Sequence, residues 1–240
     1  MRIDEQRGFV LHRHAYGETS VLLEVFTAQF GRAGLIAKGV RRPGRAFAGA
    51  NLRPFQPLLL SWTQRGDLGT LVGAEPLPPH MDLRGNAIWC GFYVNELLLR
   101  LLHRHEGHAD LYASYEAALQ ALALEGCQEP ILRVFEKRML AALGYGLLLS
   151  HDRSGCAIDA DAQYVYGVGE GPVAAAEAGA VNGIAVRGST LLALLAEEWS
   201  DPRQLREAKA LLRVLVDELL GDKRLHTRSL FRALRAPPPE

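Results

Sequence analysis

The stretch that decides the fold is GFVLHRHAYGETSVLLEVFTAQFGRAGLIAKGV, at residues 8–40. It is rich in residues that favour strands and is interrupted by glycine turns at Gly17 and Gly31. With the sequence that follows, it predicts five short strands, at residues 8–14, 20–27, 34–40, 57–62 and 68–72. This number of strands, with an irregular insert at residues 46–51 between the third and the fourth, predicts an OB-type β-barrel over residues 1–78.

After the proline-rich boundary near residue 78 the hydrophobic period becomes helical, which predicts a helical-bundle domain over residues 79–240. Asp201-Pro202-Arg203-Gln204 has the spacing of a capping box, so one helix is expected to start there and end at Gly221. Helices are predicted at residues 82–105, 110–124, 129–143, 190–199, 202–220 and 227–234. A glycine-rich segment at about residues 147–188 predicts a small irregular insert. The expected fold class is therefore α+β, with two domains.

The composition limits the class of protein. The 240 residues include 27 Lys and Arg against 27 Asp and Glu, and 48% are hydrophobic. Such a chain can bury a core, so a disordered protein is excluded. No window has the roughly 18 apolar residues that a membrane span needs. A charged start and three widely spaced cysteines favour a cytoplasmic protein without disulfides.

The zero net charge conceals an uneven distribution. No acidic residue occurs from Gly31 to Arg65, a second basic block runs from Lys223 to Arg235, and the middle of the chain is acidic. A basic face binds phosphates, and aromatic rings on OB barrels stack on bases. The candidate DNA-binding residues are Arg32, Lys38, Arg41, Arg42, Arg45, Arg53 and Arg65, with Tyr16 and Phe47 as stacking rings. Solvated charge remains the alternative for the basic block. Phe9, Phe26 and Phe55 are expected in the core.

No pattern predicts catalysis. His103, His105 and His108 resemble a metal site, but on a helix residues two apart point away from each other, so we expect no shared ion. Gly167 to Gly171 lacks the lysine of a phosphate loop and is interpreted as a turn. The chain is therefore expected not to be an enzyme and to need no cofactor.

Arg133 is the candidate for a partner-peptide site. It lies beside apolar residues near the start of a predicted helix, where a guanidinium could hold the carboxylate of a peptide. The alternative is an ion pair with Glu129, four residues earlier on the same helix.

A series of short segments is spread over nearly the whole chain. They are Tyr16-Gly17-Glu18-Thr19-Ser20, Phe26-Thr27, Gly31-Arg32, Ala37-Lys38-Gly39-Val40-Arg41, Leu52-Arg53-Pro54-Phe55, Tyr93-Val94-Asn95-Glu96-Leu97, Phe135-Glu136, Leu143-Gly144-Tyr145-Gly146 and Thr227-Arg228-Ser229-Leu230-Phe231. Singly these segments are weak, but in their order and spacing the chain strongly resembles the bacterial RecO family of recombinational DNA repair proteins.

The resemblance implies a non-catalytic, nucleoid-associated protein that binds single- and double-stranded DNA and anneals complementary strands. It implies RecR as a partner, and single-strand-binding protein, whose C-terminal tail would dock near Arg133. Such proteins help to load RecA onto coated strands.

The chain departs from the family at one point. Many members have a four-cysteine zinc site in the segment that corresponds to the insert, whereas residues 150–183 contain only Cys156. Structural zinc needs two close pairs of Cys or His ligands, so we predict no metal.

Two other classes of function remain open. One is a protein-interaction scaffold whose barrel binds no DNA, and the other is a metalloenzyme that uses the histidines.

Overall fold

The computed structural model describes residues 1–40, 52–124, 126–179 and 182–235. Five strands form a closed barrel in the order β1-β2-β3-β5-β4, and only the pair β3 and β5 is parallel. They are β1 Arg2–Tyr16, β2 Ser20–Thr27, β3 Gly31–Ala37, β4 Pro57–Arg65 and β5 Leu68–Pro76. The predicted OB-type barrel is confirmed, with β3 starting three residues earlier than expected.

The described residues after the barrel form six helices and a small antiparallel sheet. The helices are α1 Asn86–Leu101, α2 Ala109–Ala123, α3 Gln128–Ala142, α4 Gly188–Ala196, α5 Pro202–Leu220 and α6 His226–Arg235. The sheet has the order β7-β6-β8, with β6 Gln163–Gly167, β7 Gly171–Ala174 and β8 Gly183–Arg187. The α+β class is confirmed, and Gly167 to Gly171 does form the turn between two strands.

The chain divides into two compact units. One contains Met1–Glu125 with Lys223–Glu240, and the other contains Gly126–Asp222. This division groups residues by packing, so the first unit holds the barrel together with α1, α2 and α6. The boundary predicted at residue 78 separates barrel from helices and stays a prediction.

The barrel core explains why the strand alternation is imperfect. Val21, Leu23 and Val25 of β2 point inward and are buried, as period two requires. Phe26 is also buried although it lies on the outer side, because α2 covers it: its ring centroid is 5.6 Å from that of Tyr112. Strands covered on both sides lose the contrast between apolar and polar positions.

The three phenylalanines expected in the core are all buried. Phe9 packs edge-on to Tyr115 of α2, with ring centroids 5.2 Å apart, and Phe55 packs against Phe92 of α1 at 5.0 Å. These rings, like Phe26, therefore join the barrel to its helices and are not available to stack on bases.

A buried asparagine adds a polar connection between the barrel and its helices. The side-chain amide of Asn95 in α1 donates to the carbonyl of Leu11 in β1 at 2.9 Å, and its oxygen accepts from the hydroxyl of Tyr115 at 2.7 Å. Since a buried amide needs such partners, these bonds fix α1 and α2 in one position on the barrel.

A buried glutamate holds the C-terminal helix on α1. The Glu96 carboxylate accepts hydrogen bonds from the amides of His226 and Thr227, both at 2.8 Å, and from the Thr227 hydroxyl at 2.7 Å. It thus satisfies free amides at the N-terminus of α6 and meets the positive end of the helix dipole. Burial alone raises the pKa of Glu96, but these bonds, with Arg100 nearby, outweigh it and lower that pKa.

The second unit contains the predicted capping box. Asp201 accepts from the amide of Arg203 at 2.7 Å, and the Gln204 side chain accepts from the amide of Asp201 at 3.2 Å. Ala208, Leu212 and Leu215 of α5 are buried along one face of the helix. The start and the end of this helix are therefore those expected from the sequence.

Replacing Glu96 with Gln should release the end of the chain. The amide accepts fewer bonds and carries no charge, so we expect the free energy of unfolding at neutral pH to fall by about 1–3 kcal/mol. Folding lowers the pKa of Glu96. The stabilisation by its carboxylate is therefore present above the pKa of the unfolded chain and is lost as the pH falls through the pKa of the folded chain. Urea unfolding of wild type and Glu96→Gln should therefore differ at neutral pH and converge in acid. Glu75→Gln, an exposed glutamate, is the control; an equal loss there would contradict this role.

Candidate nucleic-acid interface

One end of the barrel presents an exposed row of rings on β1. His12, His14 and Tyr16 alternate along the strand, so their side chains lie on the same side, and all three are exposed. Their partners on β2 are Glu24, Leu22 and Ser20 in that order, and Leu22 pairs in turn with Ile36 on β3. Tyr16, which the sequence nominated as a stacking ring, is 48% exposed and ends this row.

The two histidines of the row form a pair. Their ring centroids are 4.8 Å apart and their planes meet at 66°. Partial burial and the neighbouring His14 lower the pKa of His12, and Glu24 opposes this only in part. The lowered pKa favours the neutral form of the His12 ring, whose flat face can stack on a base. Neither histidine was among the candidates from the sequence, although the alternation His12-x-His14-x-Tyr16 could have indicated them.

The predicted cations are spread along the barrel. Lys38, directly after β3, is exposed near the Tyr16 end of the row. Arg65 is exposed at the turn between β4 and β5. It pairs with Leu68 of β5, and Leu68 pairs with Gly34 of β3, which lies four residues before Lys38. Arg53 is exposed in the segment before β4. The other candidates, Arg41, Arg42, Arg45 and Phe47, lie outside the described residues.

Arg32 has a structural position that the sequence did not indicate. Its Nε donates to Glu24 at 2.9 Å, and its Nη1 donates to the carbonyls of Leu99 and Leu102 at the end of α1, at 2.6 and 3.3 Å. Arg104 pairs with the other oxygen of the same carboxylate. Glu24 is only 8% exposed, so this pair of contacts neutralises a buried charge. A DNA contact by Arg32 stays a prediction.

The three histidines after α1 are not on a helix, since α1 ends at Leu101. His103 and His105 therefore do not point apart on a helix as expected, because both lie in the loop after Leu101. The loop docks on β3 instead: the amide of His105 donates to the carbonyl of Arg32 at 2.9 Å. Gly31 has a positive φ of 59°, and a Cβ there would lie 1.7 Å from the carbonyl oxygen of Glu106, so only glycine fits.

Arg133 is buried, with 6% of its side chain exposed, and donates to Glu136 at 2.6 Å. The alternative named for Arg133, an ion pair with Glu129, is not the pair that the structure shows: Glu129 lies 2.9 Å from Lys209 of α5. The glutamate one turn further along α3 is the closer acceptor. A peptide carboxylate could reach the guanidinium only if this ion pair opened. The peptide site stays a prediction.

The insert is held by hydrogen bonds as well as by packing. The Asp152 carboxylate accepts from the Ser154 hydroxyl at 2.7 Å and from the amides of Ser154 and Cys156 at 2.9 Å. These bonds lower the pKa of Asp152, and the bond from the Ser154 hydroxyl contributes most. The carboxylate thus closes a tight loop by itself. Among the described residues no three His, Cys, Asp or Glu side chains are grouped to hold a metal ion.

No helix in the described ranges is both long and apolar enough to cross a membrane.

Comparisons with known proteins agree with this architecture. The family model described as recombination protein O N terminal matches residues 1–80, and the model described as recombination protein O C terminal matches residues 83–229. The chain is 44% identical over 237 residues to the DNA repair protein RecO of Dechloromonas aromatica, covering 98% of this chain and 97% of the relative. It is 47% identical over 236 residues to the DNA repair protein RecO of Nitrosococcus oceani, covering 98% and 95%.

Two family models that together span nearly the whole chain, and relatives of this similarity, establish the assignment that the barrel and the helices suggested. The chain belongs to the RecO family of DNA repair and recombination proteins.

Proposed function

We propose that this chain binds single- and double-stranded DNA through its barrel, anneals complementary strands, and helps to load RecA onto strands coated by single-strand-binding protein. The observation that carries the proposal is the exposed row His12, His14 and Tyr16 beside Lys38. Rings that stack on bases next to a cation that contacts phosphate are the usual means by which OB barrels bind single strands.

The row explains binding without strong sequence preference. Every base offers a flat face, so rings stack on any sequence, whereas sequence reading needs hydrogen bonds to base edges. Cations beside the row reduce the repulsion between two phosphate backbones, which favours pairing of complementary strands. A surface with these properties supports annealing without any chemical step, so the proposal includes no catalysis and no cofactor.

The proposed partners follow from the family resemblance. RecR would act with this chain, and the acidic tail of single-strand-binding protein would dock on α3 near Arg133. The Arg133–Glu136 ion pair supports a site that opens: an incoming carboxylate could replace Glu136 as the partner of the guanidinium. The Nε of Arg133 has no hydrogen-bond partner in the described residues, so the group has a donor to offer.

The barrel site is tested by separating stacking from charge. Tyr16→Ala should weaken binding of labelled oligo-dT by about tenfold without changing its dependence on salt. Lys38→Ala should weaken it about fivefold at 0.1 M salt and reduce the slope of log affinity against log salt by about 0.7, the value for one phosphate contact. Fluorescence anisotropy over a salt series measures both the affinity and its salt dependence. The Arg41/Arg42/Arg45 triple alanine variant extends the test to candidates that lie outside the described residues.

Tyr145→Ala is the matched control, since Tyr145 is 59% exposed and lies in the other unit. Absent or salt-insensitive DNA binding by the wild type would overturn the proposal in favour of a protein-interaction scaffold.

The partner site is tested by annealing of strands coated with single-strand-binding protein, with and without its acidic tail. Arg133 and Glu136 form a buried ion pair, and breaking such a pair by removing one partner costs about 3–5 kcal/mol, so the variant is the neutral pair Arg133→Gln with Glu136→Gln. We expect it to fold, as thermal unfolding would show, and to lose the stimulation that depends on the tail.

Arg206→Gln, an exposed arginine of α5, should keep that stimulation. Full stimulation of a folded double variant would contradict a role for Arg133.

A further inference from the structure

A cavity of about 410 Å³ lies at the C-terminal end of α1. Arg32 of β3 lines it from the barrel, Arg100, His103 and Arg104 line it from the end of α1 and the loop that follows, and Lys223 lines it from the segment before α6. All of these residues belong to the first compact unit. The two basic blocks of the sequence, around Arg32 and from Lys223 onward, therefore meet at one place.

The cavity has an excess of positive charge. Four permanent cations line it, whereas two carboxylates lie against those cations. Glu24 is shared by Arg32 and Arg104, and Glu96 lies 3.7 Å from Arg100, which is longer than a hydrogen bond. Glu96 gives its short bonds to the start of α6 instead. Arg100 is thus only weakly neutralised, and the described residues place no carboxylate within 4 Å of Lys223.

Two of these cations keep donors for a ligand. Lys223 Nζ donates to the carbonyl of Arg100 at 3.0 Å, which uses one of its three hydrogens. The described residues provide no hydrogen bond to the guanidinium of Arg100, which has five donors. The carbonyls that end α1 would repel an anion, but those of Leu99 and Leu102 are already bound by Arg32.

The cavity adjoins the row of rings on the barrel. Arg104 packs over Gly34 of β3, where a Cβ would lie 3.1 Å from the guanidinium carbon. Gly34 pairs with Glu24, which pairs with His12. Along β3, Gly34 and Lys38 are four residues apart, or about 13 Å of extended strand. A single strand that runs along the rings from Lys38 could therefore continue toward the cavity.

We propose that this cavity binds a backbone phosphate of the strand that crosses the barrel, so that Arg100 and Lys223 are part of the DNA site. The inference rests on the proposed function and adds a second phosphate position to it. It also gives the C-terminal basic block a role: Lys223 binds phosphate, while α6 behind it is held by Glu96.

The test compares oligo-dT of two lengths with the double variant Arg100→Gln, Lys223→Gln. An oligonucleotide of about four nucleotides fills only the barrel face, whereas one of about sixteen also reaches the cavity. For the longer one we expect affinity to fall about fivefold at 0.1 M salt, with a salt slope smaller by about 0.7, as for one lost phosphate contact. For the shorter one we expect no change.

Arg203→Gln with Arg206→Gln is the matched control, because it removes the same charge from exposed positions of the other unit. Equal loss in this control, or equal loss for both lengths, would overturn the inference, as would an unchanged slope of a variant whose thermal unfolding is normal. Failure of inorganic phosphate to compete with the longer oligonucleotide for the wild-type protein would also overturn it. Absence of DNA binding by the wild type would instead contradict the proposed function itself.

Discussion

The buried carboxylate of Glu24 is the constraint on which the arrangement around the barrel depends. It lies on the outer side of β2 and is neutralised by Arg32 of β3 and by Arg104 after α1. A charge so poorly exposed must be paired, since an unpaired one would cost several kcal/mol. Arg32 in turn binds the carbonyls that end α1. The carboxylate thereby fixes where the helix ends on the barrel and which part of the strands stays uncovered.

A second glutamate extends the same logic to the end of the chain. Glu96 lies on α1, the helix whose end Arg32 holds, and caps α6 through the amides of His226 and Thr227. Residues from 223 onward are far from the barrel in sequence, yet the hydrogen bonds of Glu96 hold them in the same compact unit as the barrel. The basic end of the chain can therefore act with the basic front, which no property of the linear charge pattern required.

The sequence predicted the secondary-structure elements better than the roles of individual side chains. Helices with periodic apolar faces and clear caps, such as the one opened by Asp201, follow from local rules and were predicted almost to the residue. The inner and outer sides of the strands could not be assigned, because Phe9 and Phe26 are covered by helices and look like core from either side. Only the register of β1 on β2 shows that His12, His14 and Tyr16 share an open side.

Some basic residues that a count of charges includes are already engaged within the fold. Arg32, Arg104 and Arg133 each bind a glutamate of their own unit. With fewer free cations on the barrel, phosphate contacts alone would give weak and strongly salt-dependent binding. In the proposed function the exposed rings would supply a contribution that salt does not screen, so a chain of zero net charge could still hold a single strand. A strand held through few phosphates would also be released readily, as the proposed pairing with a complementary strand requires.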